Sequence, residues 1–179
     1  MSERRKANVQ GAAYFVTITV LGWVDVFTRK VLADELIKNI QYCQRNKGLR
    51  VFAYVIMSNH VHMIVQREGG TLAEWIRDFK SFTAKRIIHL IETHPDESRR
   101  DWLSPYFREQ GKLTAQSREY AFWAKTNHPI ELYTQPVFDQ KVNYIHNNPV
   151  VAGIVAEPEH YLPSSAHPEQ PLKLNGYDP

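Results

Sequence analysis

The stretch LRVFAYVIM at 49–57 constrains this chain more than any other part of it. A nearly continuous apolar run of this kind predicts a central strand covered on both faces. Ser58-Asn59 reads as a turn. His60 to Val65 then predicts a strand folded back on the first as a hairpin. Ala13 to Val20 predicts another strand, because Tyr14, Val16, Ile18 and Val20 alternate with Phe15, Thr17 and Thr19.

Two helical patterns fit around these strands. In Leu32 to Arg45, Leu32, Leu36, Ile40 and Cys43 share one face, and Gly48 supplies the stop. Leu72 to Thr93 opens with a capping box, Thr71 to Glu74. Its buried stripe is Leu72, Trp75, Ile76, Phe79, Thr83, Ile87 and Leu90. Residues 94–119 are polar and mixed in charge and read as a connector or insertion. A fourth strand is expected between Tyr120 and Tyr133. A last helix starts near Gln135, with Thr134 as N-cap and Pro136 in the first turn. Pro149 is expected to end it near Asn147, since the residue before a proline avoids the α region. The order β-α-β-β-α-β-α predicts an α+β fold: a ferredoxin-like antiparallel sheet followed by a C-terminal helix. This places one domain at 1–156 and a Pro-rich C-terminal tail at 157–179.

Composition narrows the setting. A chain of 179 residues can bury a core without covalent staples. Its single cysteine, Cys43, excludes an intrachain disulfide. The N-terminal MSERRKANVQ lacks an apolar leader, and no apolar run approaches the ~20 residues that span a bilayer. The expectation is a soluble, cytoplasmic protein without a membrane partner. A net charge of +3 permits a phosphate-rich partner without requiring one.

Two clusters could carry chemistry. His60 and His62 are two residues apart on a strand, so they point to one face about 6.6 Å apart and could chelate one ion. The plainer reading is two histidines on a solvated strand face. In the last helix, Val137, Lys141, Tyr144 and Asn148 line one face if the helix holds to Asn148. Phe138, Val142 and Ile145 line the adjacent face and pack on the sheet. Tyr144 could be rim packing. Alternatively, Lys141 one turn before it could favour a phenolate or hold a phosphate. Asn148 one turn after it offers an amide oxygen. His146 faces away and reads as a packing or hydrogen-bonding residue. Basic residues are scattered: Arg4, Arg5 and Lys6 near the start, and Arg77, Lys80 and Lys85 along the long helix. With neighbouring aromatics they could hold a single strand by charge and stacking, although a solvated face is the default.

Taken together, AYVIMSNHVHMIV at 53–65, RDFKSFTAKRI at 77–87, KVNYIHNNPVVAGIV at 141–155 and PEHYLPSSA at 158–166 resemble the single-tyrosine HUH transposases. The branch of REP-associated tyrosine transposases is the most similar. The resemblance runs over roughly 10–166 in order and spacing. It implies a metal-dependent endonuclease and strand transferase acting on single-stranded DNA at or near hairpins, associated with the nucleoid. It implies Tyr144 as nucleophile, His60, His62 and Asn148 as metal ligands, Mg²⁺ or Mn²⁺ as cofactor, and hairpin DNA as partner. Lys141, Arg77, Lys80, Lys85, Arg4, Arg5 and Lys6 are then candidate DNA contacts, and a homodimer is one candidate assembly. The alternatives are a hairpin-binding module of the same fold that does not cut, and a hydrolase that uses water.

Overall fold

The alternation read along the strands resolves into a sheet with two different covers. In the computed structural model, which describes residues 9–114 and 118–177, β1 spans Ala13–Thr19, β2 Leu49–Ile56, β3 His60–Arg67 and β4 Ile130–Glu131. The sheet order is β2-β3-β1-β4, and every pairing is antiparallel. Helices α1 (Lys30–Asn46) and α2 (Leu72–Thr93) cover one face. That face is built from Tyr14, Val16 and Ile18 of β1 and Val61, Met63 and Val65 of β3. The other face carries Phe15, Ile64, Phe52 and Val55, and α4 (Gln135–Val151) packs there through Phe138 and Ile145. The capping box of α2 is present as expected.

Several expectations change. The apolar run of β2 is not a central strand but an edge strand. It is nonetheless covered, because the chain beyond 157 returns along its free edge. Ile56 N–H donates to Pro163 C=O at 2.8 Å, Ser165 N–H to Tyr54 C=O at 2.9 Å, and Asn175 N–H to Val51 C=O at 2.8 Å. Tyr177 stacks on Phe138 with ring centroids 4.0 Å apart. The segment expected as a separate tail is therefore part of the same body, with Ser164 and Leu172 buried in it.

The segment 94–119, expected as a connector or insertion, carries a helix, α3 (Arg100–Lys112). Leu103 and Phe107, four residues apart, bury completely. Arg99 anchors the helix start by ion-pairing with the buried Glu97 and donating to the backbone C=O groups of Asp25 and Val26. The fourth strand is only two residues long. Finally, α4 does not stop at Asn147 but runs through Pro149 to Val151. Proline disfavours a preceding helical residue without forbidding it, and burial of Pro149 against the body holds the last turn. This continuation keeps Asn148 one turn from Tyr144.

Candidate active site

The register of the two central strands assembles the site. Thr17 lies opposite His62 and Thr19 opposite His60, so both imidazoles emerge on the face beneath α4. Their ring centroids are 4.6 Å apart. Each ring has its Nδ1 engaged by a neighbour. Asn59 Oδ1 lies 2.7 Å from His60 Nδ1 and can only accept, so that nitrogen carries the proton. Thr17 Oγ1 lies 2.9 Å from His62 Nδ1. Holding one ring nitrogen fixes the orientation of the other, as outer partners of metal-ligating histidines do.

Helix α4 brings the remaining groups. Tyr144 Oη lies 3.5 Å from His62 Nε2, the limit of a hydrogen bond. The Asn148 carboxamide lies beside the His60 imidazole. Lys141 Nζ sits 4.8 Å from the Phe15 ring centroid and 5.6 Å from that of Tyr144. Phe15 stacks on His62 at 5.3 Å and meets Tyr144 edge-on at 5.7 Å, which makes it the floor of the site. Tyr144 itself is 48% exposed, so its hydroxyl is within reach of a ligand from solvent.

Burial keeps both histidines neutral. The His62 imidazole is pushed down to about 3 by desolvation, with His60 and Lys141 adding positive charge nearby. Desolvation also lowers His60, and the Asn148 carboxamide, which favours the protonated ring, pulls the other way. Neutral imidazoles are the form that ligates metals. Among the described residues, no group of three or more His, Cys, Asp or Glu is placed to hold an ion. A metal here would rest on two imidazoles and one carboxamide, a mixed nitrogen and oxygen set that suits Mn²⁺ and, less well, Mg²⁺.

Of the sequence-derived candidates, His60, His62, Tyr144, Asn148 and Lys141 come together. Arg77, Lys80 and Lys85 do not, because α2 lies on the opposite face of the sheet. Lys80 is pushed down to about 8 by burial and donates to Ala124 C=O and to Asn127 Oδ1, bracing the strand edge. Arg77 pairs with Asp78. Arg4, Arg5 and Lys6 lie outside the described residues. His146 faces away, as expected, and meets Ser165 Oγ at 2.8 Å. Three participants escaped the sequence reading: Thr17, Asn59 and Phe15. Thr17 is marked only by being polar in an apolar strand, and Asn59 looked like nothing more than a turn residue.

Comparisons with known proteins place the chain by family and by fold. Residues 9–111 match the family model described as IS200-like transposase, a stretch that holds the histidine pair and ends before α4. No curated protein matches the sequence. A solved REP-associated tyrosine transposase bound to a REP hairpin superimposes with a TM-score of 0.62 at 19% identity, covering 93% of this chain and 84% of that one. A candidate transposase from Deinococcus radiodurans R1 gives a TM-score of 0.48 at 16% identity, covering 78% of this chain and 92% of that one. With more than half of its length matched, the chain belongs to the IS200-like transposase family.

Proposed function

We propose that this transposase cuts and rejoins single-stranded DNA beside a hairpin, with Tyr144 as the nucleophile. The observation that carries the reading is the convergence of the Tyr144 hydroxyl, His60, His62 and Asn148 on one patch, with Lys141 beside it. A divalent ion held by His60, His62 and Asn148 would supply Lewis-acid polarisation of the scissile phosphodiester.

The chain's own groups do the rest. Tyr144 Oη attacks phosphorus and loses its proton. The bond from phosphorus to the 3′ oxygen breaks, and that oxygen takes up a proton to become a hydroxyl. The 5′ side stays on the enzyme as a phosphotyrosine ester. Because the ester keeps the bond energy, a 3′-hydroxyl of another strand can reverse the step without a nucleotide cofactor. Lys141 places positive charge beside the phenol ring, where it can pair with the attacked phosphate. Asn59 and Thr17 hold the imidazoles in orientation. That a relative of this fold is solved with a REP hairpin supports hairpin DNA as the partner.

The test is a denaturing gel after incubation with labelled single strands from the flanks of the gene, with Mn²⁺, Mg²⁺ or chelator. Wild type is expected to form a metal-dependent protein–DNA adduct, and Tyr144→Phe to bind without forming one. Binding with no adduct from wild type would favour a non-cleaving module. Cleavage that survives Tyr144→Phe and leaves a free 5′-phosphate would favour a water-using hydrolase.

A further inference from the structure

At the end of the site opposite Tyr144 stands a tryptophan that no fold requirement explains. Trp23 is 64% exposed, although indole is among the side chains that gain most from burial. Its backbone is left-handed, with φ of 58°, a conformation bulky residues avoid. Its ring meets His60 edge-on at 5.8 Å. The rings therefore form a row: Trp23, His60, His62, Tyr144.

The turn that carries Trp23 is held firmly. Gly22 is also left-handed, and a Cβ there would lie 2.1 Å from Tyr106 Oη, so the Tyr106 hydroxyl closes over the turn. Asn59 Nδ2 donates to Trp23 C=O at 3.2 Å and to Asp25 Oδ1 at 3.0 Å, while the same amide's oxygen holds His60. Ser58 Oγ donates to Asp25 Oδ1 at 2.6 Å. One asparagine thus ties the exposed indole to a histidine of the site. The arrangement spends backbone strain and apolar exposure to keep a flat aromatic face in solvent at a set distance from the reacting groups.

The geometry points to Trp23 as a stacking platform for an unpaired base that flanks the scissile phosphate. This inference rests on the proposed DNA reading of the site. A base has a π-face whatever its identity, so stacking would fix the strand's position without selecting sequence. Trp23 is then a positioning residue: it holds the strand so that the phosphodiester reaches Tyr144.

The test compares wild type with Trp23→Gly and Trp23→Phe, using single-stranded hairpin oligonucleotides from the gene's flanks. Glycine accepts the left-handed turn, so Trp23→Gly should melt no lower than wild type. Yet its KM for adduct formation should rise roughly tenfold or more, with a smaller change in kcat. Trp23→Phe, which keeps an aromatic face, should recover most of that loss. The tryptophan fluorescence of wild type should be quenched on binding, and that quench should vanish in both variants. Adduct formation by Trp23→Gly with wild-type KM would overturn the inference and leave the tyrosine mechanism standing. A Trp23→Gly protein that melts lower, with loss of activity in proportion, would make the role structural and would also overturn it. If wild type neither binds nor forms an adduct with any strand, the DNA reading fails and the inference with it.

Discussion

Both histidines of the site are half of a pair with a polar neighbour, and the pairing has consequences that single-residue experiments can read. Thr17→Val keeps the shape of the side chain and removes the hydroxyl that holds His62 Nδ1. Loss of such an outer contact typically costs 10–100-fold in metal affinity or activity. We expect the Mn²⁺ titration of Thr17→Val, followed by the electron paramagnetic resonance of the free ion, to shift by about that factor, with melting little changed. The neutrality of His62 also sets a pH dependence. Its folded-state value lies near 3, against an ordinary value of about 6.5. Between those values the unfolded chain binds a proton that the folded chain refuses, so stability is lost as pH falls through that window. Urea midpoints in chelator should therefore fall less steeply from pH 7 to pH 4 for His62→Gln than for wild type. Parallel slopes would contradict the buried, neutral state.

The helices and strands were legible to different degrees, for physical reasons. α2 was fully readable because its cap and its apolar stripe both lie in local sequence. β2 was readable as a strand but not as an edge, because what covers it is recruited from more than 100 residues away. α3 was hidden because only Leu103 and Phe107 of its apolar residues bury fully, in an otherwise polar stretch with Pro105 inside it. α4 outran its expected end because tertiary burial of Pro149 outweighed a local preference. The candidate site followed the same rule. The histidine pair and the helical face of Tyr144 come from period alone, whereas Thr17 depends on strand register and Asn59 on the conformation of its turn. α3 also offers a packing test. A Cβ on Gly111 would lie 2.5 Å from Tyr120 Cα and 2.6 Å from Arg118 C=O. Backbone cannot yield as a side-chain tip can, so Gly111→Ala should cost about 1–3 kcal/mol by overpacking, measured by chemical denaturation. Thr71→Ala, by contrast, should cost about 1 kcal/mol through the lost cap of α2.

On the scale of the molecule, the two faces of the sheet differ: α1 and α2 secure one side, and the histidine pair and Tyr144 lie on the other. No helix among the described residues is long and apolar enough to cross a membrane. The returning segment at 163–177 matters as much as either layer, because it occupies the backbone groups of an apolar edge strand. Removing it should leave β2 open to pairing with other chains. A chain ending at residue 162 is expected to form high-mass species by size exclusion at concentrations where the whole protein is monodisperse. The same feature sets a clock during synthesis. Val51 and its edge partner Asn175 are 124 residues apart in sequence. At roughly 5–20 residues per second, the ribosome takes about 6–25 s to deliver the second after the first. A hairpin such as β2–β3 closes in about 1–10 μs, so the newborn protein carries a finished but unsealed strand for most of its translation. Its yield in the cell should therefore depend on how fast the ribosome reads the second half of the message, more than on how tightly the first half folds.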